Sequence, residues 1–156
     1  MSDHRDELLK LGFPEAVAES ADLAEKSGLF DLKPPSLEYK MWLVIRTDLP
    51  LSQGKMGAQV GHAFGRLYME ASKFRPGQFE AYLADNEPKI TVKVSDEAKL
   101  LRVYLEAKAA GIPCQLIRDA GRSEIAANTP TVCAFGPSYR DDLPPYLRRL
   151  QVLRDE

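Results

Sequence analysis

Between Lys40 and Thr47 the chain reads KMWLVIRT, an apolar run with a charge near each end, and this pattern predicts a buried strand. Ser52 is a plausible N-cap for a helix that follows to about Lys73. Pro76-Gly77 punctuates, and Gln78–Ala84 forms a short second helix on this reading. The β-branched KITVKV, Lys89–Val94, predicts a second strand. Ser95-Asp96-Glu97 opens another helix that runs to about Ala110 and stops at Gly111. A third strand occupies Gln115–Arg118, opening near Ile112-Pro113-Cys114. A polar loop, Asp119–Pro130, leads into a fourth strand at Thr131–Phe135. Pro144 and the pattern in Tyr146–Leu153 predict a final amphipathic helix. Strands alternating with helices define an α/β layered fold, with a mixed sheet because strands three and four are joined by a loop.

The helix after Ser52 has three distinct faces. At 100° per residue, Lys55, Gln59, His62 and Arg66 fall within about 60° of one another. Gly57, Gly61 and Gly65 make a second ridge, and Met56, Val60, Phe64 and Leu67 an apolar third. A glycine inside a helix costs roughly 1 kcal/mol relative to alanine, so three in register suggest close approach by another backbone.

The amino-terminal region is different in kind. Asp6–Ser27 reads as helical, broken near Gly12-Phe13-Pro14, and Lys33–Glu38 with its Pro34-Pro35 reads as a linker. Leu8–Pro14 resembles the first helix and turn of a ubiquitin-associated domain. Too few residues precede the linker to supply that domain's third helix, so an accessory helical hairpin is expected. Residues 1–38 hold four basic and nine acidic side chains, whereas 39–156 hold seventeen and fourteen. An acidic arm thus precedes a mildly basic body, which can meet phosphates locally despite the overall charge of -2. The expected division is an acidic helical extension with linker, 1–38, and one main domain, 39–156.

Composition removes several classes. No apolar run approaches the roughly 20 residues of a membrane span. The opening MSDHRDELLK has neither the signal-peptide nor the presequence pattern, so a cytoplasmic protein is expected. Cys114 and Cys133 stand apart from any second ligand, which leaves buried free thiols in strands as their reading.

In open α/β sheets ligands gather outside the carboxyl ends of strands. Two segments meet that description: Asp48–Lys55 and Asp119-Ala120-Gly121-Arg122. If their strands run parallel, both lie at one edge. Lys55 on a first helical turn gains nothing from the helix dipole, which favours service to a bound phosphate or carboxylate. Asp119 reads equally as a turn cap or a site residue. His62 reads as a packed histidine or a base, and Arg66 as phosphate-facing or solvated. No phosphate-loop or nucleophile-elbow pattern is present.

These residues also resemble a known family. Arg46-Thr47-Asp48-Leu49, Gly54-Lys55, Ala58-Gln59 and His62-Ala63 are similar to the first strand and helix of the type 2 peptidyl-tRNA hydrolases. Asp119-Ala120-Gly121-Arg122, Ile125-Ala126, Thr131-Val132 and Gly136-Pro137 match a second signature of that family. Pro88-Lys89 and Ala110-Gly111 fit between them. The resemblance covers roughly residues 39–150. It implies a three-layer α/β/α sandwich around a four-stranded mixed sheet, often a homodimer. It also implies cleavage of the ester that joins a peptide to tRNA, with no metal or organic cofactor. The family's polar positions fall on Lys55, Gln59, His62, Asp119 and Thr131. Ser123 replaces a family threonine, and Val60-Gly61 replaces the usual Cys-Ser.

On this resemblance Asp119 orients or deprotonates a water, and Lys55 stabilises charge on the carbonyl oxygen. Thr131 and Ser123 hold the water or the ribose hydroxyls. Gln59 and His62 fix the lysine or contact the terminal adenosine. Whether Asp119 or His62 is the base stays open. Arg66, Lys73, Lys93 and Arg122 are available to tRNA phosphates. Two alternatives stay open: a silent tRNA- or protein-binding module on the same fold, and a related aminoacyl-tRNA esterase. The acidic arm either docks on the basic body or binds a partner protein.

Overall fold

The apolar run predicted as a buried strand is one. In a computed structural model that describes residues 4–16, 38–120 and 125–154, strand β1 (Lys40–Arg46) is buried along almost its whole length. Its side chains alternate between two cores, as the period of a strand requires. Met41 and Leu43 face one core, and Trp42 and Val44 the other.

The first core is closed by helix α2 (Gln53–Phe74) and helix α3 (Pro76–Ala84), through Ala63, Leu67, Ala71 and Tyr82. As expected, the Ser52 hydroxyl caps α2 by accepting from the Lys55 N–H at 3.2 Å. The second core is closed by helix α4 (Glu97–Ala109) and the short helix α5 (Pro145–Arg148), through Leu100, Val103, Ala107 and Leu147. Asp96 is the cap of α4, its carboxylate accepting from the Lys99 N–H at 2.8 Å. Gly111 ends that helix at φ 72°, where glycine meets no Cβ penalty. Helices therefore cover both faces of the sheet in three layers.

The sheet has five strands in the order β3-β4-β1-β2-β5, one more than predicted. Strand β2 (Lys89–Val94) runs parallel to β1. Strand β4 (Pro130–Ser138) runs antiparallel to both β1 and β3 (Cys114–Arg118). The fifth, β5 (Gln151–Val152), pairs with the outer edge of β2 where a helix to Leu153 was expected. The predicted helix ends after one turn because Leu147 alone is buried, whereas Val152 and Leu153 are exposed. Beyond Leu147 the chain instead satisfies backbone groups on the open edge of β2, with the Leu153 N–H donating to the Thr91 carbonyl at 2.9 Å.

Strand β4 also runs three residues past its predicted end, through Gly136-Pro137 to Ser138. Gly136 sits at φ 125°, and a Cβ there would stand 2.7 Å from the Lys40 carbonyl oxygen. That glycine permits close approach of β1. Cys114 and Cys133 are free and buried, their sulfurs 3.1 Å apart across β3 and β4. Burial, then the neighbouring Cys114, raises the Cys133 thiol well above its usual range.

The chain separates into two compact units, Met1–Leu37 and Glu38–Glu156. In the first, helix α1 (His4–Lys10) carries Asp6 and Glu7 in its first turn and Lys10 in its last, which suits the helix dipole. It ends at Gly12, φ 85°, with the Phe13 N–H donating to the Leu8 carbonyl at 2.9 Å. The predicted helical continuation to Ser27 lies largely outside the described residues, and so does the linker up to Leu37. No helix among the described residues is long and apolar enough to cross a membrane.

Candidate active site

Strand directions decide where the polar residues meet. Because β4 is antiparallel to both β1 and β3, those two strands point the same way, as β2 does. The carboxyl ends of β1, β2 and β3 therefore share one edge with the amino end of β4. Asp119 follows β3 there, Lys55 lies on the first turn of α2, and Thr131 stands near the start of β4.

Two contacts join these elements. Lys55 Nζ lies 3.0 Å from Asp119 Oδ2, with the aspartate side chain wholly enclosed and the lysine side chain 22% exposed. The lysine is thus the member of the pair that solvent reaches. Thr131 Oγ1 lies 2.9 Å from Gln59 Oε1 and 3.2 Å from the Ile117 carbonyl, and its single O–H serves these two acceptors. Gln59 and Thr131 are both buried. The Asp119 backbone is held as well: its N–H donates to Thr129 O at 2.9 Å, and its carbonyl accepts from the Asn128 N–H at 2.7 Å.

A local irregularity aims Thr131. Ile117 pairs with Val132, but Arg118 pairs with Pro130, so Thr131 is an extra residue between the two pairs. Val132 belongs to the core under α2, and simple alternation would send Thr131 to the opposite face. The register shift instead turns its hydroxyl toward Gln59 on α2, a use of bulges that recurs beside active sites.

Arg46, which figured in the sequence only as part of a family resemblance, ties this edge together. Its guanidinium grips Asp48 through two hydrogen bonds, Nε to Oδ1 at 3.0 Å and Nη2 to Oδ2 at 2.8 Å. Its Nη1 donates to the Pro130 carbonyl at 3.0 Å. One buried side chain thereby fixes the loop that leads to Lys55 and the residue before Thr131. The hydrogen bonds from Arg46 hold the Asp48 carboxyl below the usual aspartate range. The readable signal was a lone arginine closing an apolar strand, two residues ahead of an acid.

The remaining candidates stand apart from these contacts. The buried stripe of α2 is Gln59, Ala63, Leu67 and Ala71, so Gln59 turns inward from the polar row in which it was placed. His62 and Arg66 are exposed on the helix surface. His62 is thus a surface residue and not the packed histidine that was one of its two readings. Arg122 and Ser123 lie outside the described residues. The glycine ridge is exposed, and an added Cβ at Gly57, Gly61 or Gly65 would meet no other atom within 4 Å. Among the described residues, the backbone approach expected there is absent.

The fold and this edge define a class: a three-layer α/β protein with a buried carboxylate–lysine pair and an oriented hydroxyl where substrates of open sheets bind. The family can be stated as well. Residues 39–153 match the model of the family described as peptidyl-tRNA hydrolase PTH2, and the chain belongs to that family. It is 36% identical over 114 residues to a peptidyl-tRNA hydrolase of Methanocaldococcus jannaschii, covering 73% of this chain and 99% of the relative. It is 41% identical over 100 residues to one from Thermococcus onnurineus, covering 64% and 85%. It is 38% identical over 104 residues to the human "Peptidyl-tRNA hydrolase 2, mitochondrial", covering 67% and 58%.

Proposed function

We propose that this chain hydrolyses the ester bond of peptidyl-tRNA, releasing a peptide and free tRNA. The observation that carries the proposal is the Lys55–Asp119 pair, 3.0 Å apart at the carboxyl edge of the sheet of a family member. Asp119 orients a water and takes its proton as the water oxygen bonds to the ester carbonyl carbon. Lys55 presents a positive charge to the carbonyl oxygen as it becomes an oxyanion. The carbon–ribose oxygen bond then breaks, and the proton held by Asp119 passes to the leaving hydroxyl. Thr131, buried and aimed by its register shift, and Ser123 hold the water or the ribose hydroxyls. Gln59 fixes Thr131. The exposed positions of His62 and Arg66 suit contact with the adenosine end and phosphates, and Arg122 serves the phosphates as well. This scheme gives Asp119, not His62, the role of base.

Three coarser features belong to the same reading. The protein binds tRNA through cations of the body, self-associates as a homodimer, and acts in the cytoplasm. The division into an acidic extension, 1–38, and a catalytic domain, 39–156, is part of the proposal too. The substrate test compares an N-blocked aminoacyl-tRNA, a free aminoacyl-tRNA and a simple peptide ester. Turnover of the first well above the other two supports the proposal. Preference for the free aminoacyl-tRNA would make the protein a different esterase, and binding without turnover would make it a silent module.

A further inference from the structure

A second feature lies on the same sheet edge, on the opposite side of β1 from Asp119. A cavity of about 430 Å³ opens there, lined by Thr47, Lys93, Ser95, Lys99, Tyr146 and Arg149 among others, with no carboxylate in its lining. Lys99 is partly occupied: its Nζ donates to Ser95 Oγ at 2.8 Å and lies 3.8 Å from the Asp96 carboxylate. Lys93 and Arg149 have no ion-pair partner among the described residues. Tyr146 adds an aromatic ring, steadied by the Arg102 guanidinium 3.9 Å from its centre. Two unengaged cations, hydroxyls and an aromatic ring in a cavity of nucleotide size suit a phosphodiester with its base.

Its position along the edge specifies which phosphate. The order β3-β4-β1-β2 puts the end of β2 three strand spacings from the end of β3, where Asp119 sits. At roughly 4.8 Å per spacing the separation is about 14 Å. At the roughly 3.4 Å per phosphate of one strand stacked as in a B-form duplex, that distance takes about four nucleotides. The ester of peptidyl-tRNA is carried on an unpaired 3′ end of about that length. We propose that the Lys93–Arg149 cavity holds a backbone phosphate of the tRNA acceptor end, about four nucleotides from the ester. This rests on peptidyl-tRNA being the substrate.

The test uses the full chain and the double variant Lys93→Gln/Arg149→Gln, with thermal unfolding to show that both are folded. Binding of deacylated tRNA is measured by fluorescence anisotropy from low to high salt, beside hydrolysis of N-blocked aminoacyl-tRNA and N-blocked aminoacyl-adenosine. The variant should bind tRNA about tenfold more weakly near physiological salt, with a log–log salt slope shallower by about 0.7, the value for one lost single-strand phosphate contact. The loss should appear in KM for the tRNA ester, while the adenosine ester, which lacks the phosphates, is hydrolysed alike by both proteins. Unchanged tRNA affinity and slope would overturn the inference, as would an equal loss on the adenosine ester. If the full chain hydrolysed no peptidyl-tRNA yet the variant still lost tRNA affinity, the cavity would stand and the hydrolase reading would fall.

Discussion

Arg46 shows how a single side chain at the edge of a sheet supports two parts of a site. Its fork matches the Asp48 carboxylate bidentately, and the remaining nitrogen reaches Pro130, so a lysine in its place would lose geometry as well as bonds. The pH consequence follows from the depressed Asp48 carboxyl. A carboxylate whose folded pKa lies below its unfolded value contributes stability above the unfolded value, about 4 for aspartate, and loses it as pH falls through the folded value. Wild-type stability should therefore decline below about pH 4 more steeply than that of Asp48→Asn, when urea midpoints are compared across pH. Equal slopes would mean that the Arg46–Asp48 pair adds nothing. The Lys55–Asp119 pair calls for a different precaution. Removing one partner of a buried pair costs up to about 3–5 kcal/mol, although the partial exposure of Lys55 lowers that cost here. A Lys55→Ala variant thus has to be shown folded before its rate is read, and Asp119→Asn is the milder change.

Helix α2 is the element in which sequence and structure agree best and differ most usefully. Its cap at Ser52 and its length were legible because 22 residues of helical periodicity leave little ambiguity. The residues at its first turn were legible because Lys55 sits at the wrong end of a helix dipole, and the family spacing pointed to Gln59 and Asp119. The depth of each member of the polar row was not legible. A 60° spread does not say which residue the sheet will bury, and the packing of the Gln59, Ala63, Leu67 and Ala71 stripe decided that for Gln59. Strand β5 left no signal, since two residues on an edge carry no period. Arg46 was assigned no role of its own because one charge ending an apolar strand is also what a solvated strand end looks like. The exposed glycine ridge yields a prediction of its own. Gly61→Ala and Gly65→Ala should each raise stability by about 0.4–1 kcal/mol in urea unfolding, since the new methyl meets open space and restricts the unfolded chain. A loss of stability, or dissociation of the proposed homodimer, would mean that another chain covers the ridge.

At the scale of the whole molecule, charge is divided between the ends of the chain. The first 38 residues carry five more acidic than basic side chains, and the remainder three more basic than acidic. Such an arm repels a polyanion at long range. Deleting residues 1–36 should raise tRNA affinity at low salt, with the gain fading as ionic strength rises. A fall in affinity would assign the arm a direct part in binding. The central claim is that Lys55 and Asp119 together cleave the ester, and single-turnover hydrolysis of N-blocked aminoacyl-tRNA tests it most directly. Asp119→Asn and Lys55→Ala, each shown folded by thermal unfolding, should lose about 10²–10³-fold in rate, with no peptide trapped covalently on the protein. Rates near wild type in both variants, or a stable peptidyl-enzyme adduct, would contradict it.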